Sequence, residues 1–174
     1  NSAIGFAGPT AVAASSVYDL FVWSNGGQLY LTRGPVWTNI TTRSAGTALT
    51  RVNGILLNSV AITNGPPIQR GTYVGTIRSN GSSQIDYIFG AAASGGTAAS
   101  FGVWNMYNRV VVGTTVTDNG SGYAYGSATI RQARGSAGNQ ISFVVGINED
   151  AVIFHYGQRV DIAAGIGVTG FFGV

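Results

Sequence analysis

The sequence predicts an all-β protein, a β-sandwich or jelly roll of about ten strands. Three observations predict it. Short runs of β-branched and aromatic residues recur between Gly, Asn and Ser punctuation, at spacings of about 8–12 residues. Helix evidence is weak, and the one Ala-rich stretch shows no apolar stripe at helical spacing. At 174 residues the chain makes one domain, able to bury about 70% of the surface its unfolded form exposes.

Taken in order, residues 1–16 are small, polar and rich in Gly, Ala and Ser, and read as an N-terminal arm or the end of a linker, with 17–174 as a single β-sandwich domain. The stretch 17–23 stops at Ser24-Asn25-Gly26-Gly27 and 28–33 resumes, which predicts a hairpin with a glycine turn. A second hairpin pairs 49–52 with 55–62 across Asn53-Gly54, a strong signal for a turn of the primed kind. Further strands are expected at 72–78, 85–89, 102–109, 110–117, 123–131, 140–147, 151–160 and 166–172. The Ala-rich stretch 90–100 holds helix formers but is cut by Gly95-Gly96, so a long loop or a single turn is expected. The apolar end of the chain, 165–174, would be costly in water and is expected to be tied into a sheet or a subunit contact.

Charge is the unusual feature. Only 9% of residues are charged, against about 25% in an average soluble domain. All 9 basic residues are Arg and Glu149 is the sole Glu. Arg and aromatic residues are enriched at protein interfaces while Lys and Glu are depleted, so a symmetric oligomer is expected. The net charge of +3 is scattered, so no basic cluster neutralises several phosphates and no nucleic-acid partner is expected. Long uncharged windows are broken by Gly, Ser, Thr and Asn, so no membrane insertion is expected. Residues 1–16 lack the basic start of a secretory signal. Without cysteine there is no disulfide framework, and the redox compartment stays open.

Catalytic chemistry has few candidates. The titratable side chains are Asp19, Asp86, Asp118, Glu149, Asp150, Asp161 and His155. Glu149 and Asp150 are adjacent, and in an extended segment would point to opposite faces, which does not suit two carboxylates flanking one bond. A pair drawn from separated strands, such as Asp19 with Asp86, is left open but nothing favours it. His155 reads as an ordinary strand histidine, with no Gly-x-Ser-x-Gly elbow to serve. No zinc ligand set surrounds it, and Asp118-Asn119-Gly120 is turn chemistry before it is a calcium site. No cofactor and no metal are expected.

What remains is a binding surface. Several of the 19 aromatic residues flank Asn/Gly/Ser loops: Trp23, Trp37, Tyr123 and Tyr125, the last two close to Asn119. Aromatic faces beside amide and Arg donors are the groups that stack on sugar rings and bond their hydroxyls. The same residue types fill sandwich cores, and for Trp23 and Trp37 the inward placement is the preferred reading.

Six blocks in one order carry a resemblance. They are Val17-Tyr18-Asp19-Leu20-Phe21, Trp37-Thr38-Asn39-Ile40-Thr41-Thr42-Arg43, Tyr73-Val74-Gly75-Thr76-Ile77-Arg78, Trp104-Asn105-Met106-Tyr107-Asn108-Arg109-Val110, Ala128-Thr129-Ile130-Arg131-Gln132-Ala133, and Asn139-Gln140 followed by Gly146-Ile147-Asn148-Glu149-Asp150-Ala151. From about Val17 onward the chain resembles a family of phage and prophage virion proteins of the tail or head fibre, spike or decoration type. The resemblance implies a structural role at the virion surface, with host-surface polysaccharide and other virion proteins as partners, and supplies no catalytic residues. Family members carry more charge between the third block and the Trp104 block, where this chain has the loop 90–100. The expected assembly is a homotrimer, and the expected task is attachment to host glycan. A capsid decoration or cement protein is the alternative, and a polysaccharide-degrading enzyme comes third for want of carboxylates.

Overall fold

The computed structural model describes residues 4–8, 11–121, 129–148 and 155. They are all-β: twelve short strands and two single 3-10 turns, with no α-helix among the described residues. The strands are β1 (Gly5–Ala7), β2 (Val17–Asn25), β3 (Gln28–Val36), β4 (Leu49–Val52), β5 (Ile55–Asn58), β6 (Thr72–Arg78), β7 (Tyr87–Ile88), β8 (Ala92–Ala93), β9 (Ala99–Phe101), β10 (Val103–Asn105), β11 (Thr117–Asp118) and β12 (Ile141–Phe143).

The main sheet has the order β1-β3-β2-β6-β5-β4, with β10 pairing the edge of β6 beyond β5. It begins with the two hairpins legible in the sequence. Gly26 and Gly27 both take positive φ between β2 and β3, and Asn53 (φ 48°) and Gly54 (φ 85°) do so between β4 and β5, the backbone that a primed hairpin turn needs. Within the N-terminal stretch, β1 lies parallel to β3, pairing Gly5 with Tyr30. A three-stranded sheet, β12-β9-β7, and a two-stranded one, β11-β8, complete the described strands.

One bulge positions the interior. Leu20 pairs with Gly75 and Phe21 with Tyr73, leaving Val74 without a partner. Strand alternation would put Tyr73 and Thr76 on opposite faces; the extra residue puts both on the face that carries Val17, Asp19 and Phe21. Against that face pack Trp37, Leu49, Leu56, Ile62, Trp104, Met106, Val144 and Ile147. Loops therefore supply much of the core. Tyr73 meets Phe21 edge-on at 6.1 Å and Trp104 stacked at 6.1 Å. Burying each such side chain stabilises by about 1.5–3 kcal/mol.

Several expected strands end early, for local reasons. The one expected over 55–62 stops at Asn58, whose buried amide donates to the carbonyls of Val60 and Pro67 and accepts from Gly71 N–H, pinning the loop instead. The one expected over 102–109 is β10 alone, because the Asn105 side chain accepts from the N–H of Tyr107 and of Asn108 and turns the chain. Over 110–117 only Thr117 joins a ladder; strand propensity is present without a partner. Similarly, β7 and β12 are shorter than the 85–89 and 140–147 expected. The loop 90–100 is not wholly irregular, since it contributes β8 and the start of β9. Thr129 to Arg131 are not strand, and 122–128 together with the expected strands 151–160 and 166–172 lie outside the described residues, His155 excepted.

Gly75 marks where β10 comes closest to β6: a Cβ there would collide with the Trp104 carbonyl oxygen. Gly75→Val should therefore lower stability by about 1–3 kcal/mol in urea unfolding; unchanged stability would contradict this pairing.

Candidate functional site

The most elaborate group of side chains among the described residues is interior. Asp19 sits in β2 at 0% exposure. Its carboxylate takes two bonds from Arg43, Nε to Oδ2 at 3.0 Å and Nη2 to Oδ1 at 3.1 Å. Thr76 Oγ1 donates to Oδ1 at 2.8 Å. That bond uses the only hydroxyl proton of Thr76, so Tyr73 OH, 2.6 Å from Thr76 Oγ1, is the donor in the next link. Arg43 also donates to the Gly146 carbonyl, and its guanidinium lies 4.3 Å over the Trp37 ring. The Trp37 indole N–H is buried without a hydrogen bond of full geometry and faces the same carboxylate closely enough to favour its charge.

Gly146 shows how tightly the group is closed. A Cβ at that position would overlap Tyr73 OH and sit 2.5 Å from Thr76 Oγ1 and 2.7 Å from Trp104. Burial pushes the Asp19 carboxyl up from its ordinary range, and Arg43 and Thr76 pull it only part of the way back. Burial likewise raises the Tyr73 hydroxyl. A carboxylate so enclosed, with every neighbour a committed donor, organises structure; no substrate reaches it.

A second carboxylate, Asp118, organises the surface loops. It accepts from the N–H of Gly95 and of Gly120, both at 2.9 Å, and from Asn139 Nδ2 at 3.0 Å, with Arg134 Nε at 3.6 Å. The Gly95 N–H, followed by that of Gly120 and by Asn139 and Arg134, holds this carboxyl below its ordinary value against a smaller effect of burial. The two groups thus run in opposite directions with pH. A lowered Asp118 contributes stability above the ordinary value and loses it as pH falls through its folded value. A raised Asp19 contributes below the ordinary value and loses that contribution as pH rises through its own.

Of the residues expected to form a sugar platform, the three that are described lie apart. Trp23 is half-buried on β2, opposite Tyr30 on β3; their rings are 5.5 Å apart, and Trp23 Nε1 donates to Thr32 Oγ1 at 2.7 Å. Trp37 is 6% exposed and belongs to the core, with Arg43 over one face; it is not available to a sugar ring. Asn119 is exposed and its N–H is bonded to the Ala93 carbonyl. Tyr123 and Tyr125 lie outside the described residues.

Two features were not legible. One is an aromatic trio, Tyr87, Phe89 and Phe101, packed edge to face with centroids 5.2–5.8 Å apart and with Tyr87 and Phe89 half in water. The other is a polar cleft between the end of β6 and strands β9 and β12. The spacing of Tyr87 and Phe89 was the only signal of the first. The second joins residues too far apart in sequence to be read together.

Among the described residues no group of three metal-ligating side chains occurs, and no helix is long and apolar enough to cross a membrane. Comparison with protein-family models, with curated proteins and with solved structures found no match to the chain.

Asp19→Leu should cost about 3–5 kcal/mol, because Arg43 loses its partner, whereas Asp19→Leu combined with Arg43→Met should recover most of it; equal losses in urea unfolding would argue against the pair as the organiser. Asp118→Asn should narrow the gap between stabilities measured at pH 6, above the ordinary value of 3.8, and at pH 3, below it; an unaltered gap would contradict the role given to Asp118.

Proposed function

We propose that this chain is a bacteriophage structural protein, exposed on the particle as a fibre, spike or decoration element, that works as a homotrimer and attaches the virion to host surface glycan. The observation that carries the reading is the apolar side chain left in water. Val111 is 100% exposed and Val110 68%, while Tyr87, Phe89, Ile88 and Val103 are each about half exposed. Monomeric soluble proteins rarely leave contiguous apolar patches beyond a few hundred Å². A second copy is the cover that fits, because two surfaces so poor in charge bring no like-charge repulsion and strip no ions of water. The jelly-roll sandwich expected from the sequence belongs to the same proposal, its layers being completed in the trimer.

The viral setting rests on the six sequence blocks that resemble virion proteins. Attachment to glycan is supported by the Trp23–Tyr30 pair near a hairpin tip, and many copies would multiply weak contacts without new ones. A cement protein that binds only virion partners draws on the same apolar surface. The enzyme reading stays last: Asp19 and Asp118 are both committed to donors, which suits neither to proton transfer.

Light scattering at micromolar concentration should return three times the chain mass, and Tyr87→Ser with Phe89→Ser should shift it toward one; a wild-type monomer would overturn the oligomer. On a glycan array the isolated protein should bind, where a cement protein would not.

A further inference from the structure

We infer that the polar cleft between β6, β9 and β12 is a binding site for a single acidic sugar ring, with Arg78 receiving its carboxylate and Asp86 its hydroxyls. The assignment rests on the glycan-attachment reading and gives it a place.

The backbone sets the two residues on either side of one glycine. Arg78 N–H donates to the Gly102 carbonyl at 2.8 Å, and Gly102 N–H donates to the Asp86 carbonyl at 2.7 Å, so three chain segments lie edge to edge with Gly102 between. Gly102 cannot carry a side chain there: a Cβ would stand 2.6 Å from the Arg78 carbonyl oxygen and 3.1 Å from that of Asp86. The result is a floor of bare backbone flanked by one cation and one anion. Asp86 is already oriented, since Asn80 Nδ2 donates to its Oδ1 at 2.7 Å, which leaves Oδ2 open. Asn80 is itself locked, its side-chain oxygen accepting from the N–H of Ser82 and of Gln84. These supports hold the site in place before any ligand arrives.

Arg78 is different. Its guanidinium makes no hydrogen bond and no ion pair with any described residue, and although Asp86 lines the same cleft the two form no salt bridge. Where Arg43 spends its Nε and Nη2 on Asp19 and the Gly146 carbonyl, Arg78 keeps a fork of donors in a cleft that also holds a pre-set acceptor, an arrangement that suits an outside group. A planar carboxylate is the group that matches a guanidinium with two parallel bonds.

The remaining wall chooses the rest of the ligand. Ser100 and Ser142, paired across β9 and β12, line the cleft with hydroxyls that donate or accept. Ser15, also lining it, holds φ 50°, a backbone state that non-glycine residues adopt at a cost and that gathers at ligand sites. The cleft volume of about 220 Å³ lies below the range of about 300–1,000 Å³ usual for larger ligands, so one ring fits and a chain continues outward. A wider depression between residues 89–92 and 113–117 has no ionisable side chain and lacks such chemistry.

Titration of the full chain with glucuronate, glucose and glycine, followed by amide NMR shifts, tests the assignment. Glucuronate should move the amides of Arg78, Asn80, Gly102 and Ser142; glucose should do so at least ten-fold more weakly. Arg78→Leu should abolish the glucuronate response without altering the melting temperature, and Arg78→Lys should restore it only in part. Should Arg78→Leu fail to fold, Ser142→Tyr, which fills the cleft from an edge strand, should abolish the same response. A response to glycine equal to that of glucuronate, or no response with glycan-array binding intact, would overturn the site while leaving attachment standing. Loss of both array binding and glucuronate response would remove site and attachment together.

Discussion

An ionised carboxylate inside a protein must be met by donors from several directions, and Asp19 imposes that requirement on the whole main sheet. Its donors come from the loop after β3 and from β6, 24 residues away at Arg43 and 57 at Thr76, and Arg43 in turn donates to the Gly146 carbonyl of the segment after β12, 103 residues from it. The bulge at Val74 exists in physical terms to bring Thr76 and Tyr73 to one face. Gly146 must be glycine so that the last segment can close over them. Hydrophobic burial around Phe21, Tyr73 and Trp104 supplies driving force, and the ion pair selects which loops may lie there.

The same economy repeats at neutral residues. Asn58 gathers the loop of residues 59–71, and Ser79 accepts from Ser16 N–H while donating to the Ala13 carbonyl. Asp118 joins three surface loops. A chain with 9% charged residues keeps its backbone groups satisfied through short amides and hydroxyls, each reaching only its neighbours. That strategy organises the inside but leaves little to solvate the outside. Exposed Val110, Val111 and the Tyr87–Phe89 edge are the consequence, and association of copies is the physical remedy.

The parts of the fold legible in the sequence were those set by adjacent residues. Gly26-Gly27 and Asn53-Gly54 dictate their turns, and the runs of β2, β3, β4 and β6 follow from alternation between them. Legibility failed where a side chain turns the backbone or answers a distant partner. Asn58 and Asn105 stop strands that propensity alone would continue, and residues 110–116 keep strand character with no ladder to join. Among the site residues, the preferred inward placement of Trp37 is what the structure has, and Trp23 is half-buried against Tyr30. Asp19 lies in a strand that the sequence does announce, yet alternation with Tyr18 and Leu20 gives no sign of its burial and nothing local picks Arg43 from nine arginines. The cleft flanked by Arg78 and Asp86 stayed hidden for the same reason: Gly102 brings them together only after β9 and β10 have formed.

Concentration-dependent hydrogen exchange on the wild-type chain tests most directly whether its apolar surface is built to be covered by copies. The account predicts slow exchange at residues 85–89 and 110–112 at high concentration and fast exchange on dilution, with Tyr73 and Thr76 slow throughout. Fast exchange at residues 85–89 and 110–112 at every concentration would contradict it.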